Sequence, residues 1–162
     1  MNSAGERNTT AICVLRIVVG ALFTLFGQYK VFGTAFTLHG GFEETVRGFV
    51  QSGGAYPFMV PVLKGILAHF ATPMAFAVAY GEFLIGISLL TGVLSRVASG
   101  FGLSLMLAMW LSGGYPGDHA ALWKYFGASL DWSVLALCFV VLMVGRPEEK
   151  WSLAEWWRSR SR

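Results

Sequence analysis

The residue best placed for chemistry is Glu82, which lies in the middle of a long apolar run, residues 75–90. A carboxyl group inside hydrocarbon is costly unless it is protonated or paired, so an ionisable residue in such a run is a functional candidate by default. A buried ion pair that only locks two helices together would explain the same residue. The sequence leaves both interpretations open.

A partner for Glu82 can be inferred from helix geometry. If an apolar helix begins near residue 10, Arg16 lies about 9 Å along it, and Glu82 lies about 13–14 Å into the helix that returns. Because an arginine side chain extends several ångströms, we expect Arg16 to pair with Glu82. The two residues would then form the reactive centre, with Glu82 as the proton donor.

Other polar residues fall at the far ends of the same apolar segments. Groups of this kind could lead from water to Glu82, bind a substrate and form a proton path for the reduction of a quinone. The residues are Gln28, Lys30, His69, His119, Lys124, Asp131 and Trp132.

The composition indicates that membrane helices position these residues. Of 162 residues, 55% are hydrophobic and 13% are charged, whereas an average soluble domain is about 25% charged. Four apolar segments approach the length of a membrane span, at about 10–30, 73–94, 97–112 and 130–145. They predict an all-α membrane protein, a four-transmembrane-helix bundle in one integral membrane domain over 1–162. The first segment has no small-residue cleavage site after it, so we do not expect a cleaved signal.

The distribution of basic residues predicts the orientation. Cytoplasmic segments carry an excess of Lys and Arg near the ends of spans. One side of the predicted bundle would hold Arg7, Arg96, Arg146, Lys150, Arg158, Arg160 and Arg162. We therefore expect both termini in the cytoplasm of a bacterial or archaeal inner membrane, with loop 31–72 external and tail 146–162 cytoplasmic. Lys30, Arg47, Lys64 and Lys124 would attract anions outside.

The long external loop contains two predicted interfacial helices. Within residues 41–50, Phe42, Val46, Phe49 and Val50 share one helical face, and charges occupy the other. The stretch 56–70 is too short and too interrupted by proline to span a membrane. The pair could cap the outer mouth of the bundle, although plain loop helices would give the same pattern.

The C-terminal segment is predicted to be amphipathic. It contains Trp151, Trp156 and Trp157, followed by Arg158, Arg160 and Arg162. Tryptophan and arginine both favour the headgroup region, so the segment predicts an anchor on membrane lipid. A docking surface for a partner protein is the alternative.

Several classes of protein are disfavoured. Cys13 and Cys138 lie in apolar segments without a C-x-x-C motif, which favours a packing role. We find no metal or nucleotide motif, and the basic residues gather at the ends of spans instead of forming a face for nucleic acid. A transporter would show an inverted repeat or paired broken helices, and neither can be identified.

The stretch 81–99, with Glu82 before a glycine-rich helix and a Gly-x-x-Ser-Arg turn ending at Arg96, resembles the signature of the DoxX/DoxD superfamily of small four-helix membrane proteins. Residues 16–23 and 27–30 resemble the first helix of that family. Residues 40–42 and 79–82 are similar to the DoxD branch, the membrane subunit of thiosulfate:quinone oxidoreductase. The resemblance covers residues 15–144.

The resemblance implies a four-helix bundle in which Arg16, Lys30, Glu82 and Arg96 hold the family positions, and it adds Arg96 to the candidate substrate-binding residues. It also implies electron transfer from thiosulfate to quinone as co-substrate, giving tetrathionate, with a second subunit outside the membrane. Two hypotheses therefore remain. The protein is either such an oxidoreductase subunit or a non-catalytic integral subunit that scaffolds a larger membrane complex, because small residues along the spans also permit docking.

Overall fold

The chain folds into helices, and no strand occurs among the residues that the structure describes. The structure is a computed structural model that describes residues 3–127, 129–145, 150–153, 156 and 160. The helices are α1 (Ser3–Phe32), α2 (Gly41–Gln51), α3 (Met59–His69), α4 (Ala71–Thr91), α5 (Ser95–Gly113), α6 (Leu122–Gly127) and α7 (Leu130–Val144). The all-α prediction is confirmed for this part of the chain.

Two helices are long and apolar enough to cross a membrane. They are α4 and the stretch Gly5–Phe32 of α1. Helix α7 is apolar but has only 15 residues, and α5 has 19 residues but is less apolar. The four predicted segments therefore coincide with α1, α4, α5 and α7, and length and composition support a membrane span for the first two.

Helix α4 ends at Thr91, a few residues before the predicted end near 94. Gly92 adopts φ 74°, a left-handed conformation that stops the helix, and its N–H donates to Ser88 O. Leu94 is also left-handed, with φ 53°, and α5 begins at the next residue. A tight turn thus joins the two helices.

Helices α1 and α4 run antiparallel with their backbones in close approach. A Cβ atom added to Gly27 would lie 2.5 Å from Phe83 N, and one added to Gly86 would lie 2.4 Å from Thr24 N. Glycine at these positions removes the side chain that would separate the helices. The α1–α4 pair meets the α5–α7 pair around one apolar core, formed by Val19, Phe23, Ile85, Leu89, Ala98, Met106, Phe139 and Leu142.

Helices α2 and α3 form a second core with one end of the bundle. Phe42 and Val46 of α2 are buried together with Leu63 of α3 and Ala75 of α4. The predicted apolar face of α2 is therefore confirmed, and it packs on the helices of the bundle. Phe36, in the segment between α1 and α2, packs edge-on against Phe42 and links this core to the end of α1.

Candidate functional site

A buried ion pair joins α1 to α4. Lys30, in the last turn of α1, places its Nζ 2.7 Å from Oε1 and 2.7 Å from Oε2 of Glu82. Glu82 is only 6% exposed, and the ammonium also lies 4.8 Å from the centroid of the Phe36 ring. The charge of the mid-helix carboxylate is therefore neutralised locally, with an added cation–π contact on the Lys30 side.

The predicted pair between Arg16 and Glu82 is wrong. The contacts of Gly27 with Phe83, and of Gly20 with Leu90, fix the register of the two antiparallel helices. This register places Glu82 close to the last turn of α1. Arg16 lies 14 residues before Lys30, about 21 Å away at 1.5 Å per residue, and so reaches the other end of α4.

Arg16 caps the end of α4 and binds the C-terminal segment. Its side chain is fully buried. Nη1 donates to Leu89 O at 2.8 Å, and Nη2 donates to Trp151 O at 2.7 Å, with longer bonds to Leu90 O and Lys150 O. A guanidinium suits this position because it presents several donors to carbonyl groups that a helix end leaves without partners.

A second set of polar contacts holds the C-terminal segment against the start of α1. Lys150 Nζ donates to Thr10 Oγ1 at 3.2 Å and lies 3.6 Å from Glu6 Oε1. Ser152 is buried, and a Cβ added to Gly92 would lie 2.3 Å from Ser152 Cβ. Lys150 and Ser152 are therefore packed on the bundle. The packing of this segment was not predicted from the sequence. The carbonyl groups that accept from Arg16 belong to the backbone, which every residue has, so no residue type identifies them.

The predicted lipid anchor lies largely outside the described residues, as Trp157, Arg158 and Arg162 do. Trp151 and Trp156 are described and exposed. The guanidinium carbon of Arg160 lies 4.1 Å from the centroid of the Trp156 ring. This geometry leaves open whether the segment binds lipid or a partner.

The other predicted site residues do not join Lys30 and Glu82. Among the described residues, no hydrogen bond or ion pair links the pair to any of them, namely Gln28, His69, Arg96, His119, Lys124, Asp131 and Trp132. All except Trp132, which packs edge-on against Phe49, are exposed. Arg96 donates from Nη2 to Gly145 O at 3.2 Å, at the Arg16 end of the bundle. The structure therefore shows no direct contact between these groups and the Lys30–Glu82 pair among the residues that it describes.

An aromatic cluster near the opposite end of α5 was not anticipated from the sequence. The Tyr56 ring lies 5.0 Å from that of Tyr115 and 6.4 Å from that of Trp110. Backbone bonds from Tyr56 N to Leu111 O and from Tyr115 N to Gly54 O hold the cluster together. Tyr56 is far in sequence from Trp110 and Tyr115, so the sequence gave no sign that the three rings would meet.

Two phenols of this cluster have perturbed acidity. Burial raises the pKa of Tyr56, and the nearby Tyr125 contributes in the same direction. The hydrogen bond that Tyr115 donates to Asp118 raises the pKa of Tyr115 to about 12, with burial adding to the effect. Both phenols therefore stay neutral at physiological pH, and neither is set up as a base.

An open apolar groove lies between α4 and α5. Its volume is about 580 Å³, and it is lined by residues within 77–88 of α4 and 94–105 of the following turn and helix. These helices pack against each other less extensively than either packs on its main partner. The groove lies on the outer surface of the bundle and is separate from the Lys30–Glu82 pair.

The described part of the chain contains no group of three or more His, Cys, Asp and Glu side chains that could hold a metal ion. The other features described are the buried carboxylate with its lysine, the capping arginine, the aromatic cluster and the apolar groove. The sequence analysis predicted no protein-bound cofactor at any of these residues.

These features define a helical membrane protein, in which two candidate spanning helices are joined by a buried Lys–Glu pair. The chain belongs to the DoxX family, whose family model matches residues 11–114. The match includes α1 to α5, with Arg16, Lys30, Glu82 and Arg96, and it confirms the resemblance to the DoxX superfamily. No curated protein and no solved structure matches the chain with significant similarity.

Proposed function

We propose that this protein is a non-catalytic integral membrane subunit that supports a larger membrane complex. The observation that carries the proposal is that the buried charged side chains bind other parts of the same protein. The Lys30–Glu82 pair binds α1 to α4, and Arg16 binds α4 and the tail through carbonyl groups. Buried ion pairs and caps of this kind hold helices in one arrangement.

The positions of the other polar residues favour the same function. A catalytic route would need proton-transferring groups within hydrogen-bond reach of Glu82 or of one bridging water. His69 and His119 are exposed, and His119 lies in a loop with φ 66°. A stable, charge-neutral helical frame suits a subunit that positions other proteins in the membrane.

A second function is favoured by the accessibility of the pair. The Lys30 side chain is 22% exposed, whereas the Glu82 side chain is 9% exposed. An anion in water could therefore approach the ammonium while the carboxylate stays sheltered. We propose as the alternative a membrane subunit of thiosulfate:quinone oxidoreductase. Pairs of thiosulfate ions would join through a new S–S bond, and the released electrons would reduce a quinone, which also takes up protons.

One experiment separates the two functions. The gene would be deleted, and the deletion strain would be complemented with the intact protein or with the double variant Lys30→Met/Glu82→Gln. The variant removes both charges, so it avoids the uncompensated charge that a single change leaves. Co-purification in mild detergent would identify the partner subunits, and membranes would be assayed for thiosulfate-dependent reduction of a soluble quinone.

A supporting subunit predicts that the folded double variant restores the partners to their normal abundance in the membrane, and that the intact protein and the variant give the same rate of thiosulfate-dependent quinone reduction. The oxidoreductase predicts that the same folded variant binds its partners but has lost quinone reduction. Purification of the intact protein without any partner, from membranes in which it is expressed naturally, would contradict the supporting function.

A further inference from the structure

The short helix α6 turns apolar side chains away from the protein. Leu122 is 79% exposed, Trp123 is 69% exposed and Phe126 is also exposed, and no residue of this helix is buried. Leu122 and Phe126 are four residues apart, so they share one face of the helix, with Trp123 beside it. Contact of such a face with water is unfavourable, and a less polar environment would stabilise it.

The polar groups at the end of α6 are bound to the protein. Trp110 Nε1 donates to Tyr125 O at 3.2 Å. Ser133 Oγ lies 3.2 Å from Phe126 O and shares its hydrogen between that carbonyl and Ser129 O. A helix leaves the carbonyl groups of its last turn without internal partners, and here side chains supply donors to two of them. The end of α6 can therefore lie in a layer that contains less water than the bulk.

Two contacts show that α7, which follows α6, runs antiparallel to α1. The ring centroid of Phe139 lies 5.0 Å from that of Phe23, in the second half of α1. A Cβ added to Gly145, just after α7, would lie 3.1 Å from a side-chain atom of Ile12, in the first half of α1. The later residue of the α7 segment thus meets the earlier residue of α1. The start of α7 must lie towards the last turns of α1.

The level of α6 along the bundle follows from these contacts. We counted back from each contact to Leu130, the first residue of α7, and forward by the same number of residues along α1. Because each helical residue advances about 1.5 Å, both counts place Leu130 level with residues 27–32 of α1. The candidate membrane span Gly5–Phe32 ends there. Two residues separate α6 from α7, so α6 lies where that span ends.

Exposed aromatic side chains of α1 occur at the same level. Tyr29 and Phe32 are both exposed, in the last turn of that helix. With Trp123 and Phe126 they place aromatic rings from separate helices at one depth. Tryptophan and tyrosine are enriched at that depth in membrane proteins, where an apolar ring and a polar tip are both accommodated. The distribution over two helices is typical of a membrane interface.

Helix α7 has a continuous apolar stripe but is short. With 15 residues it extends about 22 Å, which is about 8 Å less than a hydrocarbon core of about 30 Å. A helix that lies in the interface buries its apolar face by about 5–10 Å, so α6 is suited to cover the difference. The stripe consists of exposed residues spaced alternately by four and three, namely Leu130, Val134, Leu137, Val141 and Val144.

From this arrangement we infer that α6 is an interfacial anchor, whose apolar face lies at the boundary between lipid headgroups and acyl chains. The partner of this face is the bilayer itself, in the leaflet that surrounds the end of α1. Lys124, whose Nζ lies 5.8 Å from the centroid of the Trp123 ring, lies at the level of the lipid phosphates. The anchor does not depend on either function proposed above.

Spin labels on single cysteines would measure the depth of α6. The native cysteines would be replaced in Cys13→Ala/Cys138→Ala, and the full chain would be reconstituted into vesicles of equal parts phosphatidylcholine and phosphatidylglycerol. Trp123→Cys and Leu122→Cys would each carry a label on α6, so that one position remains if the other variant does not fold. Circular dichroism and size-exclusion chromatography in detergent would confirm the fold of every variant.

Two reference positions calibrate the measurement. Leu137→Cys places a label on the exposed stripe in the middle of α7, and Arg47→Cys places one on the charged face of α2. Collisions with oxygen, which concentrates in hydrocarbon, would be compared with collisions with a water-soluble nickel chelate. We expect the oxygen-to-nickel ratio at residues 122 and 123 to be several-fold above that at residue 47 and below that at residue 137.

A ratio at residues 122 and 123 equal to that at residue 47 would overturn the anchor, because the face would then lie in water. A ratio as high as that at residue 137 would also overturn it, since α6 would then lie in the hydrocarbon core. Protection of both labels from both reagents would assign the face to a second copy of the chain, and this too would overturn the anchor.

Discussion

The ammonium of Lys30 lies 2.7 Å from each carboxylate oxygen of Glu82, at the point where the last turn of α1 meets α4. The pair is separated by 52 residues in sequence. It is therefore a tertiary contact that exists only when the two helices have the correct register. Its strength is a direct test of that register.

Neutralising one member of the pair should destabilise the protein strongly. Lys30→Met leaves the buried carboxylate of Glu82 without its partner, at a cost of about 3–5 kcal/mol in the free energy of unfolding. Glu82→Gln leaves an ammonium whose side chain is 22% exposed, so it should cost less. The double variant should recover part of this loss, because no charge then remains alone. Chemical unfolding in detergent micelles, followed by circular dichroism, would measure the three variants.

Arg47→Met is the control for these measurements. Arg47 lies 3.8 Å from Glu43 on the surface of α2, with 61% of its side chain exposed. Such surface pairs contribute about 0–1 kcal/mol, so the control should change stability little. Strictly additive effects of the two single changes in the buried pair would count against the contact.

Removing the capping arginine should release the C-terminal segment. Arg16→Met removes the donor to the Leu89 carbonyl, where the bond is buried, at about 1–3 kcal/mol, and the donor to the Trp151 carbonyl, where the bond is partly buried and its loss should cost less. Limited proteolysis should then cut the C-terminal segment at a higher rate than in the unchanged protein. Lys150→Met removes the contacts of its ammonium with Thr10 and Glu6 but keeps the bonds that Arg16 donates, so it should have a smaller effect.

A combined variant tests the correction to the expected pairing. Arg16 and Glu82 have separate partners, so the effects of Arg16→Met and Glu82→Gln should add to within about 0.5 kcal/mol. A large coupling energy between them would restore the original expectation.

The helices were predictable from the sequence, but the contacts between them were not. Hydropathy locates α1 and α4 because apolar runs are a property of one segment at a time. The choice between Arg16 and Lys30 as partner of Glu82 depends on how far one helix is shifted along the other. Close approaches at Gly27 and Gly86 set that shift, and a glycine in a sequence does not show which helix it will meet.

The positions of the other candidate residues were not predictable for a related reason. Depth along a helix can be estimated from residue counts, and on that basis polar residues such as His69 and Asp131 were expected to gather above Glu82. Lateral position depends on the rotation of each helix about its axis. The structure leaves both side chains exposed on different helices.

Two glycines of α4 should respond differently to alanine. A Cβ at residue 86 would lie 2.4 Å from the backbone N of Thr24, which cannot yield without moving α1. We expect Gly86→Ala to destabilise by more than about 1 kcal/mol. Gly81→Ala meets nothing within 4 Å and should stabilise by up to about 1 kcal/mol through helix propensity. Thermal unfolding of both variants in the same detergent would measure the difference.

The Tyr115–Asp118 hydrogen bond should give a signal at alkaline pH. The pKa of Tyr115 is raised from 10.0 to about 12 in the folded protein. Its contribution to stability is therefore fully present below pH 10 and is lost as the pH rises towards 12, because only the unfolded state ionises in that window. In Asp118→Asn, one of the tyrosine ionisations that ultraviolet difference spectra detect should occur at a lower pH than in the unchanged protein. An unchanged titration curve would contradict the contact.

The orientation of the bundle remains a prediction from the basic residues, with both termini in the cytoplasm and the segment 33–72 outside. A reporter that is active only in the periplasm should be inactive when fused to the C-terminus. The same reporter inserted at the exposed Gly53 turn should be active. Activity of the C-terminal fusion would reverse the topology.

The partners of Arg16 are separated from it by long stretches of chain, 73 residues for Leu89 and 135 for Trp151. During synthesis α1 is therefore made with a guanidinium whose carbonyl acceptors have not yet been synthesised. Until the tail emerges, this arginine favours water, headgroups or an insertion factor over the bundle interior. The complete set of bonds around Arg16 can therefore form only after the chain has been synthesised as far as Trp151.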